Sequence, residues 1–233
     1  MSLNAIGVFG GMGPLASAKF IETIYTLRMK KTSYEQELPK IFLYSDPSFP
    51  DRTDYLLKGK EAVLLQKLCE GLDELIKHEV EKIIICCFTV HHLFPQLPKR
   101  LQEKIISLPF LLLEEIIKCA QPVLLLCTKG TKILKIFEAQ KNWEKASDYV
   151  VQVSDSDQVE IHKNIYEMKR FGLKESINDF VLSMMSKYNT RFWAAGCTEF
   201  HLLAAHQYHF CVSQACKKKA IDPLITIAEK LSM

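Results

Sequence analysis

The chain has 233 residues, 48% of them apolar, which is enough for one ordinary domain or for two smaller ones with a core each. Its 30 Lys and Arg against 27 Asp and Glu leave a net charge of +3, too little for the sustained phosphate attraction of a nucleic-acid binder, and the basic run Lys217–Lys219 reads as solvated surface. No apolar stretch approaches the roughly 18 to 20 residues that cross a bilayer, and the opening MSLNAIGVFGG has no basic segment before its apolar run, so a cytoplasmic protein with no membrane partner is expected.

The first element in chain order is a short apolar strand, Ile6 to Phe9, which runs directly into Gly10-Gly11-Met12-Gly13-Pro14. Pro14 suits the first turn of a helix, where its missing N–H has no intrahelical partner to lose. That helix extends to about Lys30, with Phe20, Ile24 and Leu27 on one side. A second strand, Ile41–Tyr44, ends in a Pro-rich loop from Ser45 to Thr53 that carries Arg52. A long helix from Glu61 to His78 buries Leu65, Leu68, Leu72, Leu75 and Ile76 and delivers the chain to a third strand, Ile83 to Cys87. That strand is apolar without alternation, as expected when helices cover both faces of a parallel sheet.

A second round begins at Pro122. Val123 to Cys127 forms a strand, followed by Thr128-Lys129-Gly130-Thr131 and an amphipathic helix carrying Ile133 and Phe137. Helices over Val159–Arg170 and Lys174–Lys187 come next, then a strand from Phe192 to Gly196 that ends at Cys197, and a last helix from Asp222 to Leu231. Each round closes with a cysteine at the end of an apolar strand and a threonine just beyond it, Thr89 and Thr198. The duplicated plan predicts two similar three-layer α/β domains with mainly parallel sheets. Residues 1–115 would carry Cys87 and residues 116–219 Cys197, with the helix over 220–233 packing back on either. Strand–helix alternation sets a binding crevice at the carboxyl ends of the strands, where both cysteines and Arg52 belong.

Two cysteines on opposite sides of a crevice suggest a particular chemistry. Inverting a carbon next to a carboxylate needs one group to remove a proton and another to supply one on the opposite face, and a thiolate facing a thiol does both. A helix start after Cys197, and His91, His92 and Arg52 near Cys87, would favour the thiolate form. Packing as a small core residue is the alternative for any single cysteine, and it is the expected role of Cys69, Cys86, Cys119, Cys127, Cys211 and Cys216. A zinc site from Cys86, Cys87, His91 and His92 is not expected, because neighbouring strand residues point to opposite faces; no metal is assigned. Gly10, Gly11 and Gly13 offer either a tight turn or close approach of a ligand to backbone N–H groups, without the spacing of a nucleotide loop. Arg52 suits bidentate recognition of a carboxylate, its alternative being a surface pair with Asp51 or Asp54.

The segments Ile6 to Pro14, Tyr44-Ser45-Asp46-Pro47 with Pro50-Asp51-Arg52-Thr53, Cys87-Phe88-Thr89-Val90-His91, Leu126 to Thr131 and Gly196-Cys197-Thr198-Glu199 together resemble the aspartate/glutamate/hydantoin racemase superfamily, most closely its cofactor-independent aspartate racemase branch. The resemblance implies domains related by a pseudo-twofold axis, an active site in the cleft between them, a homodimer, and no cofactor. By that likeness Cys87 and Cys197 are the two catalytic bases, and Gly11, Met12, Arg52, Phe88, Thr89, Thr198 and Glu199 surround a small amino-acid substrate, with His91 in support. Arg170, or Lys169 beside it, stands where aspartate racemases place a substrate-binding lysine. Phe88 departs from the Asn usual in Cys-Asn-Thr and removes a hydrogen bond to the substrate, narrowing the pocket instead. The reading is therefore a racemase of aspartate or a related acidic amino acid. A racemase or isomerase of another amino acid or a hydantoin is the first alternative, and a non-catalytic small-ligand binder the second.

Overall fold

A computed structural model describes residues 5–210 and 219–231; Cys211, Cys216 and the first two lysines of Lys217–Lys219 lie outside the described residues. Strand β1 (Ile6–Gly10) lies between parallel neighbours β2 (Ile41–Ser45) and β3 (Lys82–Ile85), and β4 (Ile105–Ile106) pairs parallel with β3, giving the order β2-β1-β3-β4. The second sheet is built from β5 (Val123–Cys127), β6 (Val150–Val151), β7 (Phe192–Gly196) and β8 (Ala220–Ile221) in the order β6-β5-β7-β8, again all parallel. The chain thus forms two α/β domains with the same strand order, related by a pseudo-twofold axis.

The strands alternate side chains between two cores each, as a pleat requires. Ile6, Val8 and Ile84 of the first sheet share one apolar cluster with Val123, Leu125 and Ala194 of the second. On the outer face of the first sheet, Phe9, Ile83 and Ile85 meet Leu64, Leu68, Leu72 and Leu75. On the outer face of the second, Leu124, Leu126, Trp193 and Ala195 meet Ile161, Ile165, Val181 and Phe200. Each sheet therefore carries helices on both faces, and the middle cluster belongs to both.

Helix α1 (Pro14–Met29) opens on Pro14 and sends Phe20, Ile24 and Leu27 into the shared core. After α2 (Arg52–Leu57), α3 (Glu61–Ile76) supplies the leucines of the first outer core. A 3₁₀ segment (Thr89–Gln96) and the short α4 (Lys99–Gln102) lead to α5 (Leu108–Cys119), which spans the expected boundary at 115 and packs on β7 and β8 of the second sheet. Short helices α6 (Lys129–Ile133) and α7 (Trp143–Ala146) precede α8 (Asp155–Phe171), α9 (Glu175–Lys187) and α10 (Phe200–Phe210). The last helix, α11 (Pro223–Leu231), packs on α1.

Three elements end differently from expectation. Strand β3 stops at Ile85, because Cys87 N–H turns back to the Ile85 carbonyl at 2.8 Å and lifts Cys87 off the ladder. The helix after Thr128 stops at Ile133, since Lys135 adopts a left-handed φ of 51°, and Phe137 is buried beyond it. Helix α8 starts at Asp155 rather than Val159: Ser154 Oγ accepts the Asp157 N–H at 3.3 Å, with acidic Asp155 and Asp157 in its first turn.

Candidate active site

Cys87 lies two residues past β3 and Cys197 one past β7, and both line a single cavity between the domains. Met12, Arg52, Phe88, Thr89, Thr198 and Glu199 line it too, as expected from the sequence. The space is small, with room for about one water molecule. The thiols are 7% and 6% exposed.

Arg52 is the first residue of α2, placed there because Asp51 caps the helix by accepting the Asp54 N–H at 2.8 Å. It makes no surface pair. Its guanidinium is buried and donates to backbone carbonyls, from Nη2 to Met12 at 2.8 Å and from Nη1 to Pro50 at 3.1 Å and Phe49 at 3.5 Å. A guanidinium has five N–H donors, so Nε–H and one N–H of Nη2 stay free of these carbonyls. Burial opposes the charge on Arg52, but neighbouring Cys87, Asp51 and Glu199 outweigh it and raise its pKa.

Across the cavity Cys197 Sγ donates to Glu199 Oε2 at 2.7 Å. Among the described residues, Oε1 of Glu199 is buried without a hydrogen-bond partner. Burial pushes the Cys197 thiol well up and the Glu199 charge pushes it further, against a smaller opposing effect of Lys169. Gly13 makes room for this carboxylate, since a side chain there would overlap Glu199 Oε1. Gly11 does not line the cavity; it has a left-handed φ of 86° and lies against the backbone of Asp46, where a Cβ would collide.

The hydroxyls of Thr89, Thr128 and Thr131 form a buried triangle with sides of 2.9 to 3.1 Å that joins the two domains. Thr198 Oγ1 donates to the Cys86 carbonyl at 3.1 Å. Phe88 lines the cavity but also enters the shared core, its ring centroid 5.7 Å from that of Phe137. Of the two basic candidates on α8, Lys169 lines the cavity and lies over the Tyr166 ring at 4.5 Å. Arg170 is exposed and lies over Phe171.

His91 supports the site otherwise than expected. Burial lowers its pKa to about 4, so the ring is neutral and puts no charge beside Cys87. Nδ1–H donates to the Cys87 carbonyl at 2.8 Å, and Nε2 accepts the Leu108 N–H at 3.4 Å. His92 faces Glu61 at 3.2 Å.

Sequence reasoning missed two pairs. Tyr166 of α8 donates to Asp51 Oδ2 at 2.5 Å, joining the domains beside the cavity that Asp51 lines. His201, four residues past Cys197 as His91 is past Cys87, is fully buried with Nδ1 2.6 Å from Asp222 and Nε2 3.2 Å from Thr23. The equal spacing in the two rounds was the signal that could have found it.

Residues 9–231 match the sequence profile of the Asp/Glu/Hydantoin racemase family. The chain belongs to that family. Its racemase-family fold is similar to that of an aspartate racemase from Picrophilus torridus, with a TM-score of 0.78 at 22% identity over 98% of this chain and 94% of that one. An aspartate racemase homologue from Pyrococcus horikoshii matches with a TM-score of 0.69 at 22% identity, over 98% and 97% of the two chains. A glutamate racemase from Francisella tularensis, solved with D-glutamate, matches with a TM-score of 0.62 at 17% identity, over 99% and 80%. At these identities the likeness is one of fold. Among the described residues no helix is long and apolar enough to cross a membrane.

Proposed function

We propose that this member of the racemase family inverts aspartate or a related acidic amino acid at its α-carbon, without a cofactor, by proton transfer to and from Cys87 and Cys197. The observation that carries the reading is the placement of the two thiols, at equivalent strand ends and on one small cavity. One thiolate takes the α-proton while the opposite thiol protonates the other face, and the α-carbon passes through a carbanion-like state. The N–H edge of Arg52 that no backbone carbonyl takes suits a substrate carboxylate, and Lys169 adds positive charge against the developing anion. Expelling water from so small a space strengthens each of these interactions.

The test is deuterium entry at the α-carbon, with optical rotation, on L- and D-aspartate and glutamate. Cys87→Ser and Cys197→Ser should each abolish racemisation, because a hydroxyl is a far weaker base than a thiolate. Each should still wash the α-proton out of a different single enantiomer. A folded double variant that racemises at the wild-type rate would sink the two-thiol reading.

Phe88 favours a second reading, a substrate with another side chain. It stands where the resemblance expects an Asn, and its ring also belongs to the shared apolar core. A panel of amino-acid enantiomers and hydantoins in heavy water separates the two readings, and exchange confined to aspartate would eliminate this one.

A further inference from the structure

The two thiols face opposite charges. Cys197 Sγ lies 2.7 Å from Glu199 Oε2, and the other oxygen of that buried carboxylate has no partner among the described residues. The Arg52 guanidinium, two of whose N–H groups no backbone carbonyl takes, lies within hydrogen-bonding reach of Cys87, which acts on its charge more strongly than Asp51 or Glu199 does. In a space that holds about one water, a carboxylate touching sulfur favours thiol over thiolate, and a guanidinium favours the reverse. We propose that Glu199 sets the polarity of the pair: it holds a proton on Cys197, so that the free protein rests with Cys87 as base and Cys197 as acid. The inference rests on the two-thiol reading above and names the regulation of that same site.

The other charges nearby do not cancel this asymmetry. Lys169 of α8 opposes Glu199 at Cys197, but its effect there is smaller and it lies over the Tyr166 ring. Asp51, at the start of α2, opposes Arg52, but its carboxylate is taken by the Tyr166 hydroxyl and the Asp54 N–H. His91, on the 3₁₀ segment behind Cys87, is neutral. Burial itself raises the Cys197 thiol in the same sense as Glu199 does.

The proton balance of a turnover shows what Glu199 does. Starting from rest, the Cys87 thiolate takes the α-proton of the substrate and becomes a thiol. Cys197 gives its proton to the opposite face and becomes a thiolate beside Glu199. The pair holds one proton before and after, moved from one sulfur to the other. The second state sets two anions in contact, so the proton returns to Cys197 before the next molecule of the same enantiomer is taken. Glu199 is a positioning residue: it acts through Cys197.

The test is the pH dependence of alkylation of each cysteine by iodoacetamide, read peptide by peptide by mass spectrometry in wild type and in Glu199→Gln. The two residues are almost equally buried, at 7% and 6% exposed, and the pH at which reaction begins, rather than its rate, is the quantity compared. Cys87 should begin to react at lower pH than Cys197 in wild type. Glu199→Gln should bring the Cys197 onset down by about one pH unit or more and leave that of Cys87 in place. Coincident onsets in wild type, or an unmoved Cys197 onset in the variant, would overturn the proposal. A purely structural role for Glu199 would change both rates without moving one onset. If Glu199→Gln does not fold, Glu199→Asp withdraws the carboxylate by one carbon and should shift the onset in the same direction, while the wild-type order stands as its own test. Thiol titration needs no turnover, which keeps the two readings apart. Ordered onsets without racemisation remove only the proposed activity, and racemisation with coincident onsets removes only the polarity.

Discussion

His91 ties the backbone of Cys87 to the start of α5 through both of its ring nitrogens, and it can do so only while neutral. Burial lowers its pKa from 6.5 to about 4. Between those values the unfolded chain takes up a proton that the folded one refuses, so the stabilisation is complete above pH 6.5 and is lost as pH falls towards 4. Urea unfolding should therefore show about 2 to 3 kcal/mol less stability at pH 4.5 than at pH 7 from this residue. In His91→Gln, whose amide can still donate and accept, that part of the pH dependence should vanish; an unchanged pH profile would refute the assignment. The sequence put His91 in the right place with the wrong task, because a motif gives spacing and not hydrogen-bond partners. Both thiols, Met12, Arg52, Phe88, Thr89, Thr198 and Glu199 were legible as cavity neighbours from the motifs. Lys169 was legible in principle: it stands one turn beyond Ile165 on the stripe that α8 buries, whereas Arg170 falls on the outer side.

Helices α2 and α8 come from different domains and are joined by the bond from Tyr166 to Asp51. The cavity they border holds about one water, so under the proposed function the rim has to open before an amino acid can be taken in. Tyr166→Phe removes a hydrogen bond to a carboxylate, worth roughly 1.5 to 3 kcal/mol when fully formed. Alkylation of Cys87 and of Cys197 should then speed up together by about tenfold or more, with each pH onset unchanged. Equal rates in wild type and variant would show that this bond does not hold the rim. The clasp was not legible because α2 itself was not: the Pro-rich stretch from Ser45 to Thr53 reads as loop, and the cap at Asp51 starts a helix of only six residues. Strands β4, β6 and β8 escaped for a similar reason, two residues being too short to show a period. Elements α1, α3, α9 and β5 fell within a residue or two of expectation.

At the scale of the molecule, each half has an outer core of its own and the two share the inner one. The middle apolar cluster draws on both sheets, α5 crosses to lie on the second, and α11 returns to lie on α1. A division at residue 115 follows the duplicated sequence plan but cuts α5, because pattern along a chain reports where elements repeat and not which neighbours they choose. Phe88 belongs to this shared core and to the wall of the cavity at once. Phe88→Asn, which puts in the residue that the family resemblance leads one to expect here, should lower stability by about 3 to 5 kcal/mol, measured by thermal or urea unfolding, since it opens a void beside Phe137 and buries an amide there. A loss below about 1 kcal/mol would mean that the ring contributes little to the core. Pocket shape and fold stability are thus coupled at a single position, and a loss of that size would make the order of substitutions matter: a polar residue at position 88 would be accommodated once a neighbour such as Phe137 had been altered to receive it.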